Sequence, residues 1–203
     1  MKKTKNTYFL LRHGETEYQK EKKGWIYPRD GMRNVSLSKE GKEQVQRTAE
    51  KMREEEVEVD VIYSSDFLRA KETSEIVRAS LSPEKVFFDE RLRDVDLGVY
   101  HERRKEDFYK DFPLEEGAFE RRPPEGENYR DAMERVIDLV LEIEKKRKGE
   151  RILLVSHKDI LLFLEGWFLD LKESEILRIK KERGGPRTAQ MRIPADDVFA
   201  NLP

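Results

Sequence analysis

Thr7-Tyr8-Phe9-Leu10-Leu11 runs straight into Arg12-His13-Gly14. The first part is β-favouring and almost wholly apolar, the pattern of a strand covered on both faces. It stops at a guanidinium and an imidazole, so a buried strand ends in a polar turn. Folding alone gives no reason to put a strongly hydrated charge there. The pattern recurs downstream. Val59-Asp60-Val61-Ile62-Tyr63 leads into Ser64-Ser65-Asp66, and Arg151-Ile152-Leu153-Leu154-Val155-Ser156 leads into His157. Val86-Phe87-Phe88 reads as a shorter strand between them.

Helices alternate with these strands. Ser38 is a plausible N-cap for a helix through about Glu54, with Val45, Ala49 and Met52 at helical spacing. Ser64, Ser65 and Asp66 offer caps for a helix whose first turn carries Arg69. The clearest periodicity is Tyr129, Met133, Val136, Val140 and Ile143, which predicts a core-packing helix over Asn128 to Lys146. A further apolar helix is expected from about Asp159 to Leu169. Thr188 to Ile193 reads as a final edge strand, with Gly184, Gly185 and Pro186 as its turn. Val99 to Gly126 is charged, holds Pro113, Pro123 and Pro124, shows little periodicity, and reads as an excursion over one face. The order implies an α/β fold, a three-layer α/β/α sandwich with a mainly parallel central sheet. Residues 1–203 are expected to form one domain, with a lid-like excursion at about 99–126.

Composition narrows the class. The chain has 203 residues, no cysteine and a formal net charge of −2; its mean hydropathy is −0.87. Without cysteine there is no disulfide, thiolate nucleophile or cysteine-ligated metal. Charges of both signs alternate along the chain, which gives no support to a nucleic-acid or membrane-surface role. The longest apolar runs fall far short of the roughly 20 residues that span a bilayer, and the N-terminus carries no apolar signal segment, so the expected location is cytoplasmic. Charged residues make up 41% of the chain, in the manner of the ion-pair enrichment of heat-adapted proteins.

In open α/β sheets ligands bind at the C-terminal ends of the strands. Three strands deliver Arg12-His13, Ser64 through Arg69, and His157 to those ends, so one shared pocket is expected. Two arginines, two histidines and several hydroxyls suit a phosphoryl group, because guanidinium donors match phosphate oxygens in pairs. Like-charge repulsion from the arginines disfavours a protonated imidazole, leaving one of the histidines able to attack phosphorus. A carboxylic acid near the pocket mouth is then needed for the leaving oxygen.

Leu11-Arg12-His13-Gly14-Glu15-Thr16 resembles the signature of the histidine phosphatase superfamily, the phosphoglycerate mutase-like enzymes. The resemblance continues in order through Leu37-Ser38-Lys39-Glu40-Gly41, Tyr63 to Ala70, Leu92-Arg93-Asp94 with Gly98, Pro124 to Asn128, and Val155-Ser156-His157. It implies the fold of that superfamily and hydrolysis of phosphate monoesters through a phosphohistidine at His13. It also implies Arg12, Arg69 and His157 as phosphate partners, and Asp94 as proton donor where most members have Glu. Glu90 and Asp96 are the fallback donors. Gln19 stands where many members carry a phosphate-binding Asn, and Lys158 where many carry Gly.

No metal or other cofactor is called for, and the expected partner is a small phosphorylated substrate or a phosphoprotein. The rivals are a phosphoglycerate mutase-type transfer, which Arg121-Arg122 faintly suggests, and a phosphate-recognition module without turnover. Arg69 alone fits a surface pair with Asp66, Glu72 or Glu75. His101 is expected at the surface, and Trp25 and Tyr27 either line the pocket mouth or cover the sheet end.

Overall fold

The structure is a computed structural model and describes residues 2–29, 32–182 and 191–192. The strands are β1 (Thr7–Arg12), β2 (Val61–Ser64), β3 (Lys85–Phe88), β4 (Arg151–Ser156) and β5 (Met191–Arg192). They form one sheet in the order β3-β2-β4-β1-β5. The β1–β4, β4–β2 and β2–β3 pairs are parallel; β5 runs antiparallel beside Leu10 and Leu11 of β1. The expected edge strand is therefore present at Met191–Arg192, and the rest of it and its Gly-Gly-Pro turn lie outside the described residues.

The continuous apolar run of β1 is explained by its place inside the sheet. Tyr8 and Leu10 point into a core with Ile152 and Leu154, whereas Phe9 and Leu11 point into a second core with Leu153 and Val155. Helices α5 (Tyr129–Lys146) and α6 (Lys158–Phe168) cover the first face, joined by Ile176 and Leu177 of α7 (Glu173–Glu182). Helices α2 (Lys39–Glu54) and α3 (Leu68–Leu81) cover the other through Val45, Ala49, Met52, Ala70 and Val77. The expected three layers are thus in place. β3 sits at the sheet edge with Phe87 and Phe88 exposed, which accounts for its brevity.

Three local readings are corrected. The N-cap of α3 is Phe67 and no side chain caps it; Ser65 Oγ instead accepts from Phe67 N at 3.3 Å, shaping the turn ahead of the helix. The second strand begins at Val61, because Asp60 is drawn off to bind Arg151 through its backbone and guanidinium nitrogens. The 99–126 excursion is not without structure: α4 (Lys105–Asp111) lies within it, packing Phe108 against Ile26 and Tyr100. Its short length left no sustained periodicity to read. Helix α1 (Glu17–Glu21) was equally silent and is held by a capping box, in which Thr16 Oγ1 accepts from Gln19 N and Gln19 Oε1 accepts from Thr16 N. No helix among the described residues is long and apolar enough to cross a membrane.

Chain segments far apart in sequence are joined at the C-terminal edge of the sheet. Ser38, the observed N-cap of α2, donates its backbone N–H to Glu15 O at 2.9 Å. A Cβ on Gly41 would lie 1.9 Å from that same oxygen. Gly41→Ala, ordinarily favourable in a helix by about 1 kcal/mol, is therefore expected to lower stability here by roughly 1–3 kcal/mol through overpacking. Urea denaturation measures it; a stabilised Gly41→Ala variant contradicts the close approach.

Candidate active site

In the parallel ladders Arg12 lies opposite Ser156, and Ser64 opposite Val155. Two further bonds extend the ladder past the strands: His13 N donates to Ser156 O at 3.1 Å and Ser65 N to Val155 O at 2.9 Å. His13, Ser65 and His157 therefore leave neighbouring strands side by side. The two imidazole centroids lie 5.1 Å apart, and His157 Nε2 is 2.9 Å from Ser65 Oγ. Both rings are buried.

His13 Nδ1 is 2.7 Å from Gly14 O. A carbonyl only accepts, so Nδ1 carries the ring proton and Nε2 keeps its lone pair. Burial, and then the charges of Arg69 and Arg12, hold the pKa of His13 well below the ordinary range, outweighing the Gly14 contact. His157 is depressed likewise, by burial first and then by Arg69, His13 and Arg12. Its Nδ1 is buried with no hydrogen-bond partner and stands 3.9 Å from Asp94 Oδ2.

Arg69 is fully buried in the first turn of α3. Its guanidinium carbon is 4.3 Å from the ring centroid of Tyr27 and 4.9 Å from that of Phe67, within cation–π range of both. Nη2 is 3.7 Å from Asp94 Oδ2. The surface pairs that the sequence left open do not form. Asp66 binds Arg93, Glu72 binds Lys42 and Leu37 N, and Glu75 binds Arg78.

Asp94 reaches the site on a loop pinned from beneath. Arg135 Nη2 donates to Arg93 O at 2.9 Å and Asp94 O at 3.2 Å, and is itself held by Glu127 Oε1 at 2.6 Å. Arg93 grips Asp66 with two bonds of 2.7 and 2.6 Å. Gly98, at φ +56°, lets this loop turn against the 124–126 segment, where a Cβ would lie 1.9 Å from Pro124 O. Burial raises the pKa of Asp94. Arg69 and Arg12 oppose that and Asp159 reinforces it, leaving a net rise. The fallback donors are occupied: Glu90 is exposed and paired with Arg93, and Asp96 Oδ1 lies 2.9 Å from His101 Nε2.

A cavity of about 180 Å³ adjoins these groups, walled by Arg12, His13, Gln19, Tyr27, Asp94 and Asp159 among others; Arg69 and His157 are fully buried and are not part of its wall. Trp25 and Tyr27 both line it, which answers the question the sequence left open. His101 also lines it and is buried, not at the surface as expected; its Nδ1 is 2.8 Å from Tyr27 O, tying the 25–27 segment to the Asp94 loop. Gln19 reaches the wall while its amide oxygen serves the α1 capping box. Arg135 and the Asp159–Lys180 pair are parts of the site that the sequence pattern did not assign. Only Glu127, partner of Arg135, lay inside a quoted motif. A lone pair on a buried imidazole beside a carboxyl biased toward its protonated form is the complement that phosphoryl transfer requires.

The same electrostatics set a pH signature. Unfolded histidines bind protons below about pH 6.5, whereas His13 and His157 resist them when folded. Their contribution to stability is complete above the unfolded pKa and is lost as pH falls from there toward the depressed folded values. In long-range proton–nitrogen NMR spectra both rings are expected to remain neutral at about pH 6. Titration of either ring near the ordinary value contradicts the buried cationic setting.

The family model of the histidine phosphatase superfamily, branch 1, matches residues 8–185. The chain is 33% identical over 159 residues to phosphoglycerate mutase-like protein 4 of Arabidopsis thaliana, covering 75% of this chain and 66% of that one. It is 30% identical over 154 residues to the probable phosphoglycerate mutase GpmB of Escherichia coli, covering 73% and 68%. Among solved structures, Bacillus stearothermophilus YhfR superposes with a TM-score of 0.74 at 26% identity, over 93% of this chain and 90% of the other. The mycobacterial glucosyl-3-phosphoglycerate phosphatase in complex with VO3 gives 0.74 at 25% identity, over 91% and 88%. With Arg12, His13 and Asp94 of its motifs lining one cavity, with Arg69 and His157 buried beside them, and with the family model spanning most of its length, the chain belongs to the histidine phosphatase superfamily, branch 1.

Proposed function

We propose that the protein hydrolyses phosphate monoesters through a covalent phosphohistidine at His13, without a metal. Arg12, Arg69 and His157 hold the phosphoryl oxygens, Gln19 lies at their margin, and Nε2 of His13 attacks phosphorus in line with the leaving oxygen. The P–O bond to the leaving group breaks as the P–N bond forms, and the proton of Asp94 passes to the departing alkoxide. Water then attacks the phosphohistidine, giving its proton back to Asp94, and the P–N bond breaks to release inorganic phosphate. The residues act within one domain, with the 99–126 segment as its lid.

The observation that carries this reading is the opposed bias of two neighbouring groups. His13 is held neutral with its lone pair on Nε2, while Asp94, beside Arg69 and His157, is biased toward its acid form. The mutase alternative draws on the names of the sequence relatives. The arginine pair that suggested it has other partners, Arg121 with Glu115 and Arg122 with Asp131 and Gly126 O. Among the described residues neither of the two lines the cavity.

His13→Ala is expected to abolish turnover, a loss of at least about 10³-fold for a deleted nucleophile. Rapid quenching of the wild type should trap acid-labile, alkali-stable phosphate. Full activity in His13→Ala, or turnover without a phosphoenzyme in the wild type, defeats the mechanism; phosphate binding with no turnover at all returns the protein to a binding role. Free phosphate, not an isomer of phosphoglycerate, is the expected product. Asp94→Asn should slow alkyl phosphates by roughly 10²–10⁴-fold, the range of general acid catalysis, and p-nitrophenyl phosphate much less. Activity should also fall as pH rises through the raised pKa of Asp94.

A further inference from the structure

Resting on the reading above of His157 as a partner of the phosphoryl oxygens, we propose that Ser65 is a positioning residue. Its hydroxyl donates to Nε2 of His157 and so holds that ring in the tautomer with its proton on Nδ1, which makes the ring a hydrogen-bond donor to the phosphoryl group. Ser65 lies one residue past β2 and is fully buried. Its backbone N–H donates to Val155 O at 2.9 Å, and Ser64 Oγ donates to its carbonyl oxygen at 3.0 Å, so the residue is tied on both sides. Its own Oγ accepts from Phe67 N at 3.3 Å and lies 2.9 Å from His157 Nε2. The Phe67 ring meets the imidazole in an edge arrangement, with centroids 5.3 Å apart.

The direction of the Ser65–His157 bond follows from the protons available. A neutral imidazole has one N–H and one lone pair. Burial, and then the charges of Arg69, His13, Arg12 and Arg135, disfavour the protonated form of His157. With the proton on Nε2, Ser65 Oγ would accept twice, from Phe67 N and from Nε2. Its own hydrogen would then be buried with no acceptor among the described residues, and an orphaned donor carries the full desolvation penalty. With the hydroxyl donating, the proton of His157 sits on Nδ1. That atom is buried without a partner and stands 3.9 Å from Asp94 Oδ2, beyond hydrogen-bond reach. Arg69 Nη2 lies 3.7 Å from the same oxygen. An N–H held beside a guanidinium suits an oxyanion, whereas the other tautomer would turn a lone pair toward it. His13 also carries its proton on Nδ1, through Gly14 O. The two rings thus share a tautomer and differ at Nε2: that of His13 keeps its lone pair for phosphorus, and that of His157 is taken up by Ser65.

Long-range proton–nitrogen NMR at neutral pH reads the tautomer of each histidine. Wild type is expected to show His157 with its proton on Nδ1. In Ser65→Ala that ring should populate the Nε2–H form, while His13, held by Gly14 O, keeps its own tautomer and reports that the site is still folded. Calorimetry with phenylphosphonate, which cannot be hydrolysed, should show roughly tenfold weaker binding in Ser65→Ala, the scale of one hydrogen bond to a charged group. Ser65→Thr retains the hydroxyl and should keep both the tautomer and the affinity. In steady-state assays kcat/KM for phenyl phosphate should fall in Ser65→Ala by at least the same factor. A wild-type His157 with its proton on Nε2 overturns the proposal. Weaker binding in Ser65→Ala with the proton still on Nδ1 also overturns it, by confining the serine to the Phe67 turn, as does a changed tautomer with undiminished affinity. The expected tautomers and affinities without hydrolysis of any ester leave the role of Ser65 standing and remove the hydrolase reading.

Discussion

A guanidinium buried without exposure, that of Arg69, is the constraint around which this molecule is organised. Such a charge is stable only where neighbours replace the water it has lost. Here the ring centroids of Tyr27 and Phe67 lie 4.3 and 4.9 Å from its central carbon, and the Asp94 carboxyl stands 3.7 Å away. The helix that carries it begins directly beyond β2, so its position is set by the strand ladder. Arg12 and the two imidazoles enter the same field from β1 and β4, and the field keeps both rings neutral.

The separated motifs of the sequence are halves of contacts. The Leu37–Gly41 block packs on the Gly14–Thr16 turn, through Ser38 N to Glu15 O and an antiparallel bridge from Thr16 to Leu37. The Pro124–Asn128 block meets the Asp94–Gly98 loop, with Glu127 N donating to Asp96 O at 2.9 Å. One pairing locks the turn that carries His13, the other the loop that carries Asp94. The proposed roles of His13 and Asp94 need such supports, since a displacement of about 1 Å is costly to chemistry.

Cations reach the cavity from several elements: Arg12 from β1, Lys105 from α4 and Lys158 from α6. Asp159, on the same wall, pairs with Lys180. Two histidines and one carboxyl thus share a small space with pKa values driven in opposite directions by burial. The same desolvation that favours a neutral ring favours a neutral carboxyl, so burial alone biases both partners toward the forms that the proposed reaction uses.

Much of this was legible in the chain itself. Unbroken apolar strands ending in Arg-His, Ser-Ser and Ser-His fixed the α/β class and the shared strand-end pocket, because hydrophobic period and strand termini are local properties. The stripe from Tyr129 to Ile143 located α5 for the same reason. Asp94 was singled out through motif order; Glu90 pairs with Arg93 and Asp96 with His101. Local pattern was silent on α1 and α4, which are too short to display a period, and it misjudged His101, whose burial depends on Tyr27 and Asp96. The tertiary structure alone decided that Arg69 turns inward, that Arg135 and Glu127 brace the acid loop, and that Lys180 claims Asp159. Each of these is a pairing between residues far apart in sequence, and no periodicity along a chain encodes which distant side chain will replace the water that burial removes.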